Sequence, residues 1–197
     1  MPVLPIEQWN QFTEDRDCSL LQSASWGELK SGFGWAPIFI QSGNAGAMVL
    51  FRSLPLGFTI GYIPRGPVGS DFPPLWEEIH KVCKAHNAVF LRVEPNFREN
   101  SAEANDLLQT MKGFQPAFAT VQPPNTILIS LDGTEDDWLR RMNEKTRYNI
   151  RLSQRKGLIL KESTDTSAFY SLMRQTGTRD SFGVHTESYY KKCLECF

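Results

Sequence analysis

The chain has 197 residues, 21 Lys+Arg against 22 Asp+Glu, 41% hydrophobic and 22% charged residues, a profile that suits a globular protein with a sizeable core. A formal net charge of -1 excludes the broadly basic surface of a dedicated nucleic-acid coat, and no window approaches the ~18 consecutive apolar residues of a membrane-spanning helix. The opening Met1-Pro2-Val3-Leu4-Pro5 lacks the basic and apolar regions of a secretion signal, and Cys18, Cys83, Cys193 and Cys196 are mostly dispersed, so a reducing cytoplasm is the expected address.

Ile6, Trp9 and Phe12 recur at three-residue spacing and predict an opening helix, and residues 24–30 predict a second, closed by Gly32-Phe33-Gly34. Residues 36–41, 45–52 and 58–63 are rich in branched and aromatic side chains. Turns at Ser42-Gly43-Asn44 and Pro55-Leu56-Gly57 separate them, which predicts an antiparallel meander ending in Tyr62-Ile63-Pro64-Arg65-Gly66-Pro67. Leu75, Ile79, Val82 and Cys83 mark a helix over 72–86, and 88–93 reads as a buried strand ending at Glu94-Pro95. A helix over 102–112 and a strand over 126–131 follow.

Composition shifts near residue 132, where Thr134 and Asp137 approximate a capping box at the head of a long charged helix. A domain boundary is expected there, dividing the chain into 1–132 and 133–197. The second part should hold a short strand over 159–162 and helices over 165–175 and from 187 onward, and it is short enough to lean on the first part or on a second chain. Cys193-Leu194-Glu195-Cys196 has redox or zinc spacing but no second pair or convergent histidine, and reads as helix cysteines.

From Leu139 to Lys161 the chain carries eight basic residues and one acidic residue. At about 100 degrees per residue, Arg140, Arg147, Arg151 and Arg155 share one helical stripe, with Met142 and Ile150 left for the core. Guanidinium groups pair their N–H donors with phosphate oxygens, so such a stripe suits RNA or a diphosphate-bearing ligand; a solvated basic face is the plainer reading.

The run Lys145-Thr146-Arg147-Tyr148-Asn149-Ile150-Arg151, followed by Lys156-Gly157, resembles a motif of the FemABX family of peptidoglycan aminoacyltransferases. Further family-like pieces occur in order: Leu21-Gln22-Ser23 with Trp26-Gly27-Glu28-Leu29-Lys30, Tyr62 to Pro67, Leu91-Arg92-Val93-Glu94-Pro95, and Thr178-Arg179-Asp180-Ser181-Phe182 with Tyr189-Tyr190. The resemblance implies an α/β (α+β) protein of GNAT-like architecture, with a mixed, largely antiparallel sheet flanked by helices and the start of a second similar domain. It implies transfer of an amino acid from aminoacyl-tRNA to the stem peptide of a peptidoglycan precursor, either a UDP-muropeptide or lipid II. No cofactor is needed, because the ester is already activated. Family members are longer, so the chain is expected to supply the first domain and the opening of the second.

Residue by residue, the resemblance assigns Lys30 to the precursor diphosphate and Tyr62, Arg65 and Gly66 to the acceptor groove. Glu94 stands near a family acidic residue considered as a base, although aspartate is the family's choice. His185 and Tyr189 match an Arg and a Tyr that contact the precursor. An imidazole there replaces a permanent cation and weakens phosphate binding at neutral pH. Lys145, Arg147, Arg151 and Arg155 would contact RNA. Peripheral contact with the inner face of a membrane and assembly into an oligomer are both compatible with this reading.

The competing readings are a non-catalytic module that binds a wall precursor or RNA, and a GNAT-like N-acyltransferase with another donor. The acetyl-CoA-binding glycine loop, the P-loop, G-x-S-x-G and H-E-x-x-H are all absent from the sequence. His80, His86 and His185 are scattered, and no metal is expected.

Overall fold

A computed structural model describes residues 3–98 and 100–197. The elements are β1 (Val3–Leu4), α1 (Ile6–Glu14), α2 (Ala24–Ser31), β2 (Trp35–Ser42), β3 (Ala45–Ser53), β4 (Thr59–Pro64), β5 (Val68–Gly69), α3 (Phe72–Ala85), β6 (Ala88–Glu94), α4 (Ala102–Thr110), α5 (Glu135–Arg141), α6 (Glu144–Arg155), α7 (Thr166–Asp180) and α8 (Glu187–Cys196). By packing, residues 1–122 and 166–197 form one compact unit and 123–165 a second. The last two helices thus pack with the first unit, whereas the sequence reading divides the chain at residue 132.

In the first unit, the strands form one sheet in the order β1-β2-β3-β4-β6, with β5 also on β3. The expected meander is present: β1 to β4 pair antiparallel, while β4 and β6 run parallel, which makes the sheet mixed. Alternation along β3 sets the two faces. Met48 and Leu50 join Trp9, Phe12 and Ala24 from α1 and α2, with Phe39 and Tyr62. Ala47, Val49 and Phe51 join Phe72, Leu75 and Ile79 of α3 and Leu107 of α4, with Ile40 and Ile63. Burying each large apolar side chain contributes about 1.5–3 kcal/mol, which makes this double-faced sheet the stabilising centre. Gly46 is required where α1 crosses β3, since a Cβ there would lie 2.7 Å from the Phe12 ring and 2.9 Å from that of Trp9.

Four expectations are corrected. Residues 88–94 form an edge strand rather than a buried one: Val89 and Phe90 are each 53% exposed, beside a register irregularity in the pairing with β4. The long charged helix is two helices. The Thr134–Asp137 capping box forms as expected, but Met142 turns extended (ψ 155°), and the Asn143 side chain accepts from the Thr146 N–H to cap a new helix. The segments 126–131 and 159–162 are not strands, and Ile127, Leu128, Ile129, Ile159 and Leu160 are exposed. A strand needs a neighbour for its ladder, and the second unit contains no strand among the described residues.

Candidate functional site

The first cluster is assembled by α2 and α8. Ser23 caps α2 by accepting from the Trp26 N–H at 3.1 Å, and Lys30 falls in the last turn, where the helix dipole favours a cation. Thr186 caps α8 and sets Tyr189 in its first turn. The Lys30 ammonium lies 5.3 Å from the Trp26 ring and 5.5 Å from that of Tyr189, a cation–π pairing on two sides. His185 stacks on Tyr189 with centroids 3.9 Å apart, and Phe33 packs against the same tyrosine at 4.9 Å. Burial, then the Arg52 charge, lowers the Lys30 pKa, while burial raises that of Tyr189. Lys192 fastens α8 to Glu28 of α2 at 3.3 Å. Trp26 carries a buried indole N–H with no acceptor among the described residues. Lys30, His185 and Tyr189, three residues singled out in the sequence, are therefore brought together.

The second cluster sits where β4 and β6 end. Tyr62 donates its hydroxyl to Glu94 Oε2 at 2.7 Å, and that oxygen also accepts from the Gln122 N–H at 2.9 Å. Glu94 Oε1 accepts from the Val121 N–H at 2.6 Å and from Arg92 at 3.3 Å. Gln122 Nε2 in turn donates to the Tyr62 hydroxyl at 3.2 Å. Burial opposes the charge on Glu94, yet hydrogen bonds from Val121, Tyr62, Gln122 and Arg92 prevail and hold its carboxyl below the ordinary range. Burial and the bond to Glu94 push the Tyr62 hydroxyl well up. Four donors occupy the four acceptor positions of one carboxylate. Glu94 is thereby an anchor for residues 121–122 and Tyr62, and a carboxylate so occupied has no acceptor position left for a further donor.

Between the clusters lie Trp35 and Arg52, a directly paired couple of β2 and β3. The Arg52 guanidinium is 5.5 Å from the Trp35 ring, which is 6.3 Å from that of Tyr62. Neither residue was singled out in the sequence. Both were accessible from strand alternation, since Arg52 shares the face of Met48 and Leu50, and from the hairpin that sets Trp35 opposite it. Gln122 carried no such signal, because only the fold brings it to Tyr62.

The turn after β4 presents Arg65 between buried Pro64 and Gly66. Arg65 has φ +48° and the Gly66–Pro67 peptide is cis. Gly66 packs on the Gln22 side chain so closely that a Cβ would meet its Cδ at 2.7 Å.

In the second unit, Arg147, Arg151 and Arg155 succeed one another at four-residue spacing on α6 and line an open hollow with Glu144, Tyr148 and Gln154. Arg140, although on α5, joins Arg147 and Arg151 in an adjoining hollow with Asp136 and Leu139. Arg147 reaches back across the helix break to donate to the Met142 carbonyl. Lys145 is exposed and lines neither hollow.

Among the described residues, no group of three or more His, Cys, Asp or Glu side chains is placed to hold a metal ion, and no helix is long and apolar enough to cross a membrane. All four cysteines are free and partly buried; Cys193 and Cys196 lie on α8.

A model of the FemAB family matches residues 4–197. Lipid II:glycine glycyltransferase of Staphylococcus aureus is 28% identical over 198 aligned residues, covering 89% of this chain and 47% of that protein; the strain USA300 enzyme gives the same figures. The crystal structure of FemX is similar with a TM-score of 0.82 and 25% identity, covering 98% of this chain and 54% of the other. The chain thus spans about half the length of the relatives it matches. A mixed sheet flanked by helices, superposable on FemX, is the GNAT-like architecture expected from the sequence.

Proposed function

The chain belongs to the FemAB family, and from that premise we propose that it acts in aminoacyl transfer to a peptidoglycan precursor, with aminoacyl-tRNA as donor and a UDP-muropeptide or lipid II as acceptor. The observation that carries this reading is the Lys30–Tyr189–His185 cluster: a partly desolvated ammonium near two aromatic rings, with the His185 imidazole stacked on one of them, Tyr189. A cation that has already lost part of its hydration suits a diphosphate, whose oxygens replace the missing water. The groups gathered near Tyr62, Arg65 and Gly66 would shape the acceptor groove.

In the reaction, the acceptor's free amine attacks the aminoacyl ester carbonyl. The new C–N bond forms, the C–O bond to the tRNA ribose breaks, and the proton lost by the amine ends on the departing ribose hydroxyl. Glu94 would take up that proton only in a state that frees one of its four donors; at rest it organises the groove through Tyr62 and residues 121–122. Arg147, Arg151 and Arg155, with the exposed Lys145 of the same helix, would receive the tRNA backbone in a salt-sensitive contact. The division 1–132 and 133–197 is kept as a proposal about two GNAT-like repeats rather than about packing, and a cytoplasmic address would give access to both substrates.

Calorimetric titration of the chain with a UDP-muropeptide, alongside a radiolabel transfer assay from aminoacyl-tRNA, tests the proposal. Saturable binding that Lys30→Ala weakens by tenfold or more is expected, together with labelled product. Binding without transfer would identify a precursor-binding module, and binding unaffected by Lys30→Ala would place the acceptor elsewhere.

A further inference from the structure

The ladder on one side of β3 is interrupted. β4 pairs with it from Ser53↔Thr59 to Leu50↔Tyr62, and β5 resumes at Gly46↔Val68, so residues 47–49 face no strand on that side. The chain leaves the sheet over this gap to make the turn that carries Arg65. Exposed backbone at the gap would be costly in a buried place, because an unpaired buried N–H or C=O forfeits its solvation.

Gln22 fills it. Its side chain is fully buried, and its Oε1 accepts from the Met48 N–H at 2.8 Å while Nε2 donates to the Pro64 carbonyl at 2.7 Å and, more weakly, toward the Met48 carbonyl at 3.5 Å. The carboxamide therefore does what a peptide group of a neighbouring strand would do, joining β3 to the point where β4 departs. The residue is itself pinned: its carbonyl accepts from the Trp9 indole at 2.9 Å and its N–H donates to Ser19 at 2.8 Å. Gly66 lies against the same amide, and Arg65, between Pro64 and Gly66, is held in the left-handed region at φ +48°, which a residue with a Cβ rarely adopts without support.

We infer that Gln22 is a positioning residue for the acceptor site: its carboxamide holds the Pro64–Pro67 turn away from β3 and thereby fixes where Arg65 presents its guanidinium. The assignment rests on the acceptor reading above, but the holding of the turn does not. Gln22 touches no substrate; it acts through Arg65.

A double-mutant cycle with UDP-muropeptide as the probe separates these points, using Gln22→Met, Arg65→Ala and both together in the full chain. Each single change is expected to weaken binding about tenfold, and the double variant to bind no more weakly than Arg65→Ala alone, since residues acting as a unit are non-additive. Amide hydrogen exchange of Gln22→Met should quicken over residues 63–68 and stay unchanged in β2. Losses that multiply in the double variant, or affinity and exchange both unmoved by Gln22→Met, would overturn the inference. If the unaltered chain fails to bind the probe, the acceptor reading falls, and the exchange pattern alone decides whether Gln22 holds the turn. Should Gln22→Met not fold, Gln22→Glu keeps the acceptor for Met48 N–H while removing the donor to Pro64, and the same cycle is run with it.

Discussion

The Tyr62 hydroxyl donates to Glu94 across 2.7 Å and so ties the ends of two parallel neighbours, β4 and β6. The same carboxylate holds the backbone of Val121 and Gln122, so residues far apart in the chain meet on one charged group. Because every acceptor position is used, the charge is structural in this arrangement.

Glu94→Gln therefore has a defined cost. An amide would turn one oxygen into an N–H₂ facing N–H or O–H donors, at about 1–3 kcal/mol for the groups left unpaired. For a chain of this size that corresponds to a fall of roughly 2–12 °C in Tm. The folded carboxyl titrates below its unfolded value, so its contribution is complete above about pH 4.3 and disappears as pH falls through the folded pKa. Thermal melts across acid pH should show this loss in the unaltered protein and a flatter profile in Glu94→Gln; equal slopes would mean the carboxylate is not held as described.

The sheet and its helices were legible because β2 to β4 are runs of branched and aromatic residues between glycine-bearing turns, while α1 and α3 carry a helical period and α2 a glycine stop. The candidate residues Lys30, His185 and Tyr189 were legible only as separate positions, since a contact between α2 and α8 has no local signature. Segments 126–131 and 159–162 misled for a physical reason: their branched side chains state a preference, but a ladder partner decides the outcome. The break at Met142-Asn143 was written in the sequence as an N-cap asparagine, yet the basic periodicity running through it concealed the stop.

His185 packs into the α2–α8 cluster through Tyr189. Its ring stacks on Tyr189, whose other neighbours include Lys30 at 5.5 Å and Phe33 at 4.9 Å. An imidazole offers single ring nitrogens, whereas a guanidinium carries a permanent charge and paired donors. His185→Arg is expected to tighten UDP-muropeptide binding at pH 7.5 by about tenfold, the size of one added charge-assisted hydrogen bond, and His185→Gln to leave it near the starting value. Calorimetry at that pH checks it; a weaker His185→Arg variant would place the anion away from this ring.

The arginine stripe of α6 makes a prediction in salt rather than in pH. For single-stranded RNA ends, each phosphate contact removed lessens the slope of log K against log salt by about 0.7. Arg151→Ala with Arg155→Ala should thus weaken tRNA binding and reduce the slope by about 1.4, while leaving the helical circular dichroism unchanged, since neither residue caps α6. An unchanged slope would return this face to ordinary solvated charge.

Lys30 offers the most direct chemical test of its surroundings. Burial and the Arg52 charge make its ammonium harder to hold in the folded chain than in the unfolded one. At neutral pH both states are protonated, so the full penalty is present; it is relieved as pH rises from the folded to the unfolded pKa. Lys30→Met, which retains an apolar stem against Trp26 and Tyr189, should consequently be at least as stable as the parent at pH 7 and lose that relief at alkaline pH. Competitive acetylation followed residue by residue should give Lys30 a lower titration midpoint than Lys81, whose pKa Glu78 raises. Equal midpoints, or a clearly destabilised Lys30→Met, would show that this ammonium sits in water and is not held ready for an anionic ligand.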